Sequence, residues 1–325
     1  MPDVFITGGS GFVGGAVLRR LVADGRHVRA LVRSDEGEGV VVAAGAEAVR
    51  GDLLKPGDWA RSLRGCSTLY HTAGEVAMCD PKRLEVNVAG TRTVIAAAGR
   101  EGVGRIVHTS SAATIGEERG TVGTEATEHQ GHHQSAYARS KREAEQVAFS
   151  DAASMGIDLV AVNPSSVQGP GRTHGTARLF IGFLNGKLRW AVRTRLPLVF
   201  VDDAVSAHLL AEQVGVPGER YLVNGWSPTI EEAVEVLGRV AGVDQRIRYL
   251  PAWTLTAAAT VTEVLWRAVG KKPPVCRAMA REVHHAHVFD GSKAERDLGL
   301  RYTPPEEWLA RTVEWYRSQG LLPRS

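Results

Sequence analysis

Short β-branched runs alternate with longer amphipathic stretches through the first half of the chain. Residues 4–7 form a continuous apolar run ended by a glycine-rich turn, and Val13, Val17 and Leu21 then recur at helical spacing as far as Gly25. The run predicts a strand buried on both faces, and the i, i+4 spacing predicts a helix with one apolar stripe. Further strands are predicted at 28–32, just before Gly51, and at 69–72, 105–109 and 157–162, with helices over 81–100 and 137–153 in the intervals. Helices of that length between strands serve as crossovers for parallel neighbours, and a parallel sheet must be covered on both faces. The pattern predicts an α/β fold built on a doubly wound parallel sheet.

After Pro164 the rhythm breaks. The loop Gly169-Pro170-Gly171-Arg172 leads to a short apolar helix and a strand at 198–201, then helices at 202–214 and 229–241 flank a strand at 221–224. The remainder reads as mostly helical, with Pro273-Pro274 as a hinge-like break. Residues 1–165 are therefore expected to form the core, with 198–224 returning to it. Residues 166–197 and 225–325 are expected to form a smaller, mostly helical lobe. The weakly polar stretch 253–266 contains four threonines and a glutamate and is too short to cross a bilayer. It is expected to cover a pocket, with contact to a membrane surface as the alternative.

Composition narrows the class. The chain has 325 residues, 43% of them apolar, and 39 basic against 36 acidic residues give +3. That balance is too weak for a nucleic-acid binder. Cys66, Cys79 and Cys276 include no close pair, so they are expected to be small apolar fillers rather than a disulfide framework or zinc ligands. With no basic and apolar leader at the start, the expected location is the cytoplasm.

The turn after the first strand reads Thr7-Gly8-Gly9-Ser10-Gly11-Phe12-Val13-Gly14. Gly8 permits the tight turn, Gly11 lets the backbone approach a pyrophosphate, and Gly14 lets the helix pack closely. The helix N-terminus then offers N–H groups and a positive dipole end to phosphate. This is a dinucleotide site on a Rossmann-type sheet, and the C-terminal lobe becomes the substrate lobe. An NAD site usually carries an acid at the end of the second strand. Here Arg33 stands near that point, suited to a 2′-phosphate, so NADP(H) is the favoured cofactor and NAD(H) the alternative. Asp52, in Gly51-Asp52-Leu53, is a candidate partner for the adenine amino group.

Tyr137 and Lys141 stand four residues apart, on one face of a predicted helix. A phenol has a pKa near 10, and a neighbouring cation favours its ionised form. Such a tyrosine can exchange a proton with a substrate oxygen while hydride moves to or from a nicotinamide. Ser111, at the end of the strand before it, would donate to the same oxygen.

With these residues in view the sequence resembles the extended short-chain dehydrogenase/reductases of the NAD-dependent epimerase/dehydratase family. The resemblance covers nearly the whole chain. It extends through His71-Thr72-Ala73-Gly74, Asn87-Val88-Ala89-Gly90-Thr91, Thr109-Ser110-Ser111, Asn163-Pro164-Ser165, Val201-Asp202-Asp203 and Phe289-Asp290-Gly291-Ser292-Lys293-Ala294. It is similar most of all to the group containing dihydroflavonol 4-reductase, 3β-hydroxysteroid dehydrogenase and the hopanoid-associated sugar epimerase. The resemblance implies Ser111, Tyr137 and Lys141 as the catalytic set. It implies Gly8, Gly11, Phe12, Val13, Gly14, Arg33, Asp52, Leu53, Thr72, Ala73, Gly74, Thr109, Tyr137, Lys141 and Pro164 around the cofactor. Asn87 would serve as a structural or proton-relay residue. A homodimer is implied too, through the helices at 81–100 and 137–153, with Ala96, Ala97, Ala98, Ala144 and Ala148 permitting close approach.

Gly74 stands where relatives often carry alanine, which should be harmless. Ser111 is followed by Ala112-Ala113 rather than Asp-Glu, which disfavours a nucleotide-sugar dehydratase. Arg172, Arg178 and Arg193 are the available arginines for a sugar nucleotide. Of Trp190, Trp226, Trp253 and Trp266, some are expected in the core and one or two to line an apolar pocket, which leans slightly toward an apolar substrate. His129, His132 and His133, and separately His284, His285 and His287, are expected to be hydrated loop or helix-end groups, since neither set has a carboxylate at ligand spacing; no metal is expected. His71 is expected to be packed near the cofactor. The expected function is NADP(H)-dependent interconversion of a carbonyl and an alcohol on a small, apolar substrate. The alternatives are an NAD-dependent nucleotide-sugar epimerase and a non-catalytic dinucleotide sensor.

Overall fold

A computed structural model describes residues 3–55, 57–271, 273 and 275–323. Strands β1 (Asp3–Thr7), β2 (Val28–Val32), β3 (Glu47–Arg50), β4 (Cys66–His71), β5 (Arg105–Thr109) and β6 (Asp158–Pro164) follow in sequence. They are joined by helices α1 (Phe12–Ala23), α2 (Asp35–Ala43), α3 (Thr91–Glu101) and α4 (Ala136–Ser154). Then come β7 (Ser166–Gln168), α5 (Thr176–Leu184), β8 (Trp190–Val192), β9 (Leu198–Phe200), α6 (Val201–Val214) and β10 (Arg220–Val223). The chain ends through α7 (Ile230–Ala241), β11 (Arg248–Leu250), α8 (Ala252–Ala268), α9 (Arg277–His285), α10 (Ser292–Leu298) and α11 (Pro305–Ser318).

The main sheet has seven strands in the order β10-β6-β5-β4-β1-β2-β3, every pair parallel. The order reverses between β1 and β4, and a doubly wound sheet opens its ligand crevice at that switch point. Alternation across β1 separates two cores. Val4 and Ile6 pack with Val17, Leu18 and Leu21 of α1, while Phe5 packs on the opposite face with Trp59, Leu69 and Ile95. Each such fully buried side chain contributes roughly 1.5–3 kcal/mol. The first cluster continues through Phe180, Phe183, Leu237, Trp308 and Tyr316, so the C-terminal helices share the sheet's core. Helix α7 starts on a capping box between Thr229 and Glu232, which satisfies orphan N–H groups at its first turn.

The helix expected over 81–100 is interrupted. A 3-10 turn (Pro81–Leu84) and a π turn (Val86–Gly90) precede α3. The π turn aims Asn87 inward, where its amide bonds the backbone of Glu75 in both directions, at 2.8 and 3.0 Å.

Four expectations need correction. Cys79 and Cys276 are not fillers; they form a disulfide across a sequence separation of 197, and only Cys66 is free. Folding brings the start of α9 against the loop after β4, a proximity that spacing along the chain does not reveal. Ala97, Ala98, Ala144 and Ala148 are at most 1% exposed, packed inside the chain between α3, α4 and the sheet, so they form no surface for a partner. Trp190, Trp253 and Trp266 are exposed rather than pocket-lining, while Trp226 packs edge-on against Trp308 as one of the expected core tryptophans. Helix α8 buries Ala259 and Glu263 but leaves Trp253, Val261, Val264 and Leu265 more than half exposed. It backs α9 and turns its apolar face outward. No helix among the described residues is long and apolar enough to cross a membrane. The expected break at Pro273-Pro274 falls on Pro274, which lies outside the described residues.

Candidate active site

The crevice at the β1/β4 switch is floored by the glycine turn. Gly8 has φ +76°, and a Cβ there would lie 2.7 Å from the Ala73 nitrogen. A Cβ on Gly14 would overlap both Thr72 Oγ1 and the Gly8 carbonyl. The turn is therefore pressed against the end of β4, and its backbone is left bare for a ligand. Thr72 Oγ1 donates to the Thr7 carbonyl at 2.6 Å, and the Ala73 N–H donates to Thr7 Oγ1 at 3.3 Å. His71 is locked between Thr7 Oγ1 at 2.7 Å and Thr91 Oγ1 at 2.9 Å. Burial, helped by the Lys141 charge, holds its pKa down to about 3, so it is a neutral packing residue.

Beyond β2, Arg33 is exposed and borders a cleft of about 380 Å³ with Arg50, Asp52 and Lys55. Arg50 is tied to Asp35 and to Glu38, the latter at 2.8 Å. Asp52 Oδ1 accepts from the Leu54 N–H at 3.0 Å, and Leu53 is buried under Gly90. With Arg50 already paired, Arg33 and Lys55 are the cations left for a phosphate group, beside Asp52 and Asp58 on the same cleft.

On the other side of the crevice, α4 carries Tyr137 and Lys141. Ser135 caps the helix by accepting from the Ala138 N–H at 3.1 Å, which fixes Tyr137 in the first turn. Ser111 caps the short 3-10 turn after β5, its Oγ accepting from the Ala113 N–H at 3.2 Å, and it lies close enough to Tyr137 to influence the phenol. Burial pushes the phenol's pKa up; Ser111 and the charge of Arg172 pull it down, while Glu282 pushes it up. At neutral pH Tyr137 is therefore a proton donor. Lys141 is 6% exposed and donates to the Thr109 carbonyl at 2.7 Å; burial brings its pKa down to about 8. The Lys141 ammonium thus faces the Thr109 carbonyl, and Arg172 is a second cation whose charge favours the phenolate. Thr109 Oγ1 is held by His208 Nε2 at 2.8 Å, and Pro164 ends β6 beside Val223.

Folding gathers Ser111, Tyr137, Lys141, Asn87 and the glycine turn into one crevice. Asn87 links the two sides: its Nδ2 donates to Ser140 Oγ at 2.9 Å, and Gly74 packs against both Asn87 Oδ1 and the Lys141 ammonium, 3.3 and 3.7 Å from where a Cβ would stand. Of the three arginines, Arg193 pairs with Glu231 at 3.3 Å and Arg178 is exposed. Arg172 comes to the site, its guanidinium 5.3 Å over the Phe12 ring. A larger groove of about 850 Å³ lies at the outer edge of β10, lined by Arg142, Arg220, Lys293 and Glu219. It contains neither Tyr137 nor the glycine turn.

Sequence reasoning missed the roof. Helix α9 brings Glu282 within electrostatic reach of Tyr137, from a segment with no motif of its own. The disulfide holds its first turn, and Arg281 Nε donates to the Gln134 carbonyl at 2.9 Å. The reading of the 284–287 histidines as hydrated is corrected too. His285 is 7% exposed, and it meets His287 and the buried carboxylate of Glu117, which arrives from the loop after β5.

Residues 4–223 match the NAD dependent epimerase/dehydratase family. The chain is 31% identical to sterol demethylase protein B of Methylococcus capsulatus, covering 98% of this chain and 99% of the relative. It is also 31% identical to a 2-alkyl-3-oxoalkanoate reductase of Stenotrophomonas maltophilia, covering 95% and 97%. Among solved structures, the crystal structure of gox2253 superposes with a TM-score of 0.84 at 30% identity, covering 99% of each chain.

Proposed function

Since the chain belongs to the NAD-dependent epimerase/dehydratase family and is an NAD(P)-dependent oxidoreductase, we propose that it is an NADP(H)-dependent reductase of a ketone or aldehyde on a small, largely apolar substrate. The observation that carries this reading is the Ser111–Tyr137 pair at the mouth of the glycine crevice, with the phenol held protonated. Residues 1–165 with 198–224 would hold the coenzyme, and 166–197 with 225–325 the substrate. The bare backbone of Gly8, Gly11, Phe12, Val13 and Gly14 fits a pyrophosphate, and the Arg33 cleft fits a 2′-phosphate. When bound, the coenzyme supplies the hydride.

The chain's own residues handle the proton and the geometry. Ser111 Oγ orients the carbonyl oxygen, and Tyr137 Oη donates the proton that turns it into a hydroxyl. Lys141, charged below a pKa of about 8, offers its ammonium beside Asn87 and Gly74, where a ribose would lie. Helix α9 limits water above the phenol. Relatives named for oxoalkanoate and quinoline-oxide ketone reduction support this direction. A tightly NAD-bound epimerase is the second reading, favoured only by Arg172 near Tyr137, and a dinucleotide sensor would have no use for a Ser111–Tyr137 pair.

The test is a titration of NADPH against NADH, followed by a carbonyl screen under the preferred coenzyme. Reduction of ketones with NADPH is expected. Turnover without added coenzyme, with NAD retained through purification, would favour the epimerase.

A further inference from the structure

We propose that Glu117, His285 and His287 form a site for one divalent zinc ion, which pins the C-terminal end of the α9 roof to the loop after β5. One donor atom from each lies within 4.8 Å of the others. Two imidazoles and one carboxylate are a zinc donor set, leaving a fourth position for the second carboxylate oxygen or for water. The geometry goes further than a chance cluster in three respects.

First, the site holds unspent donors. His285 is 7% exposed with Nε2 lacking a hydrogen-bond partner, 3.4 Å from Glu117 Oε1. Glu117 is 4% exposed, and its Oε2 is unpartnered as well. Buried polar atoms are seldom left in that state unless something else meets them. Second, His287 is oriented from behind. Its Nδ1 faces Glu117, while its Nε2 lies 3.0 Å from Glu282 Oε2. A ligating imidazole normally gives its other N–H to a carboxylate, which fixes ring and tautomer. Third, the two rings converge. Ala286 between them has φ 58°, the sole non-glycine positive φ among the described residues, and the ring centroids stand 4.2 Å apart.

The ion would complete a two-ended anchoring of α9, with the Cys79–Cys276 disulfide just before its first residue and the metal at and just beyond its last. Glu282, between them, serves the imidazole on one side and faces Tyr137 electrostatically on the other. The proposal is independent of which substrate or coenzyme the enzyme prefers.

The experiment uses untagged full-length protein, stripped with chelator and titrated with Zn2+ by calorimetry, with bound metal counted by mass spectrometry. Wild type is expected to take up one equivalent per chain. His285→Ala should lose it, and Glu282→Gln should weaken it by about 10–100-fold, as for other carboxylates behind a ligating imidazole. Tyr137→Phe should bind zinc normally even where it turns nothing over, which separates this proposal from the catalytic one. Co2+ in place of zinc should give the visible bands of a four-coordinate N/O site. His129 and His133, with rings 4.8 Å apart, are the rival surface site. Zinc uptake abolished by His129→Ala and kept in His285→Ala would overturn the proposal. So would a wild type that binds no zinc, which would leave His287 as a proton-carrying bridge between two carboxylates.

Discussion

The core and the α9 roof face each other across the same crevice, yet they are held together by opposite means. In the core, neighbours in sequence are neighbours in space. Strand and crossover helix alternate, and Val4, Ile6, Val17 and Leu21 meet because local periodicity points them inward. In the roof, α8 backs α9 through Glu263 and Arg277, but the anchors to the rest of the molecule join residues remote in sequence: Cys79 to Cys276, Glu117 to His287, Gln134 to Arg281, and Thr194 Oγ1 to the Val283 carbonyl at 2.6 Å. On the proposed function, the proton chemistry would sit on the first kind of structure, where rigid elements fix geometry, and enclosure of the substrate would rest on the second, where a few long-range links tie a whole helix to the core.

The comparison can be broken from either side. Gly14→Ala should have the largest effect, abolishing coenzyme binding, because the added carbon overlaps Thr72 Oγ1 and the Gly8 carbonyl. Fluorescence titration with NADPH checks this, and ordinary binding by the variant would remove the glycine crevice from the account. Cys79→Ser should cost about 2–4 kcal/mol in denaturant unfolding, the usual worth of a link closing a long loop. It should raise the substrate KM while largely sparing kcat, since the roof moves and Tyr137 does not. An equal loss in kcat would mean that the roof also positions the phenol.

Arg33→Ala should raise the Kd for NADPH about 10-fold and leave NADH unchanged, a difference of about 1.4 kcal/mol. A separate effect concerns acid. His71 and His208, with pKa values pushed by burial to about 3 and about 4, are neutral in the fold and titrate near 6.5 when unfolded. Their contribution is present above pH 6.5 and is lost as pH falls toward those values, at about 1.4 kcal/mol per pH unit for each group. Unfolding free energies between pH 7 and pH 4 read this slope, and replacing either histidine with glutamine should flatten it.

This contrast also explains what the sequence disclosed. The sheet, the glycine turn, Ser111, Tyr137 and Lys141 were legible because each is local: a run of β-branched residues, a turn at residue 8, two side chains one helical turn apart. Glu282 was not, since α9 carries no periodic or spaced signal for the site it approaches, and Arg172 was named only as one of three arginines, because nothing local separated it from Arg178 and Arg193. The cysteines misled for the same reason, because a link spanning 197 positions leaves no mark in spacing. The π turn that aims Asn87 was read as plain helix, since its composition is helical and only tertiary bonding to Glu75 and Ser140 reshapes it.

The most direct test of the central claim is single-turnover reduction of a carbonyl substrate by the NADPH complex, in wild type and in Tyr137→Phe. If the phenol donates the proton, reduction in the variant should slow by about 10²–10⁴-fold while the Kd for NADPH stays the same. Reduction at the wild-type rate would contradict the account.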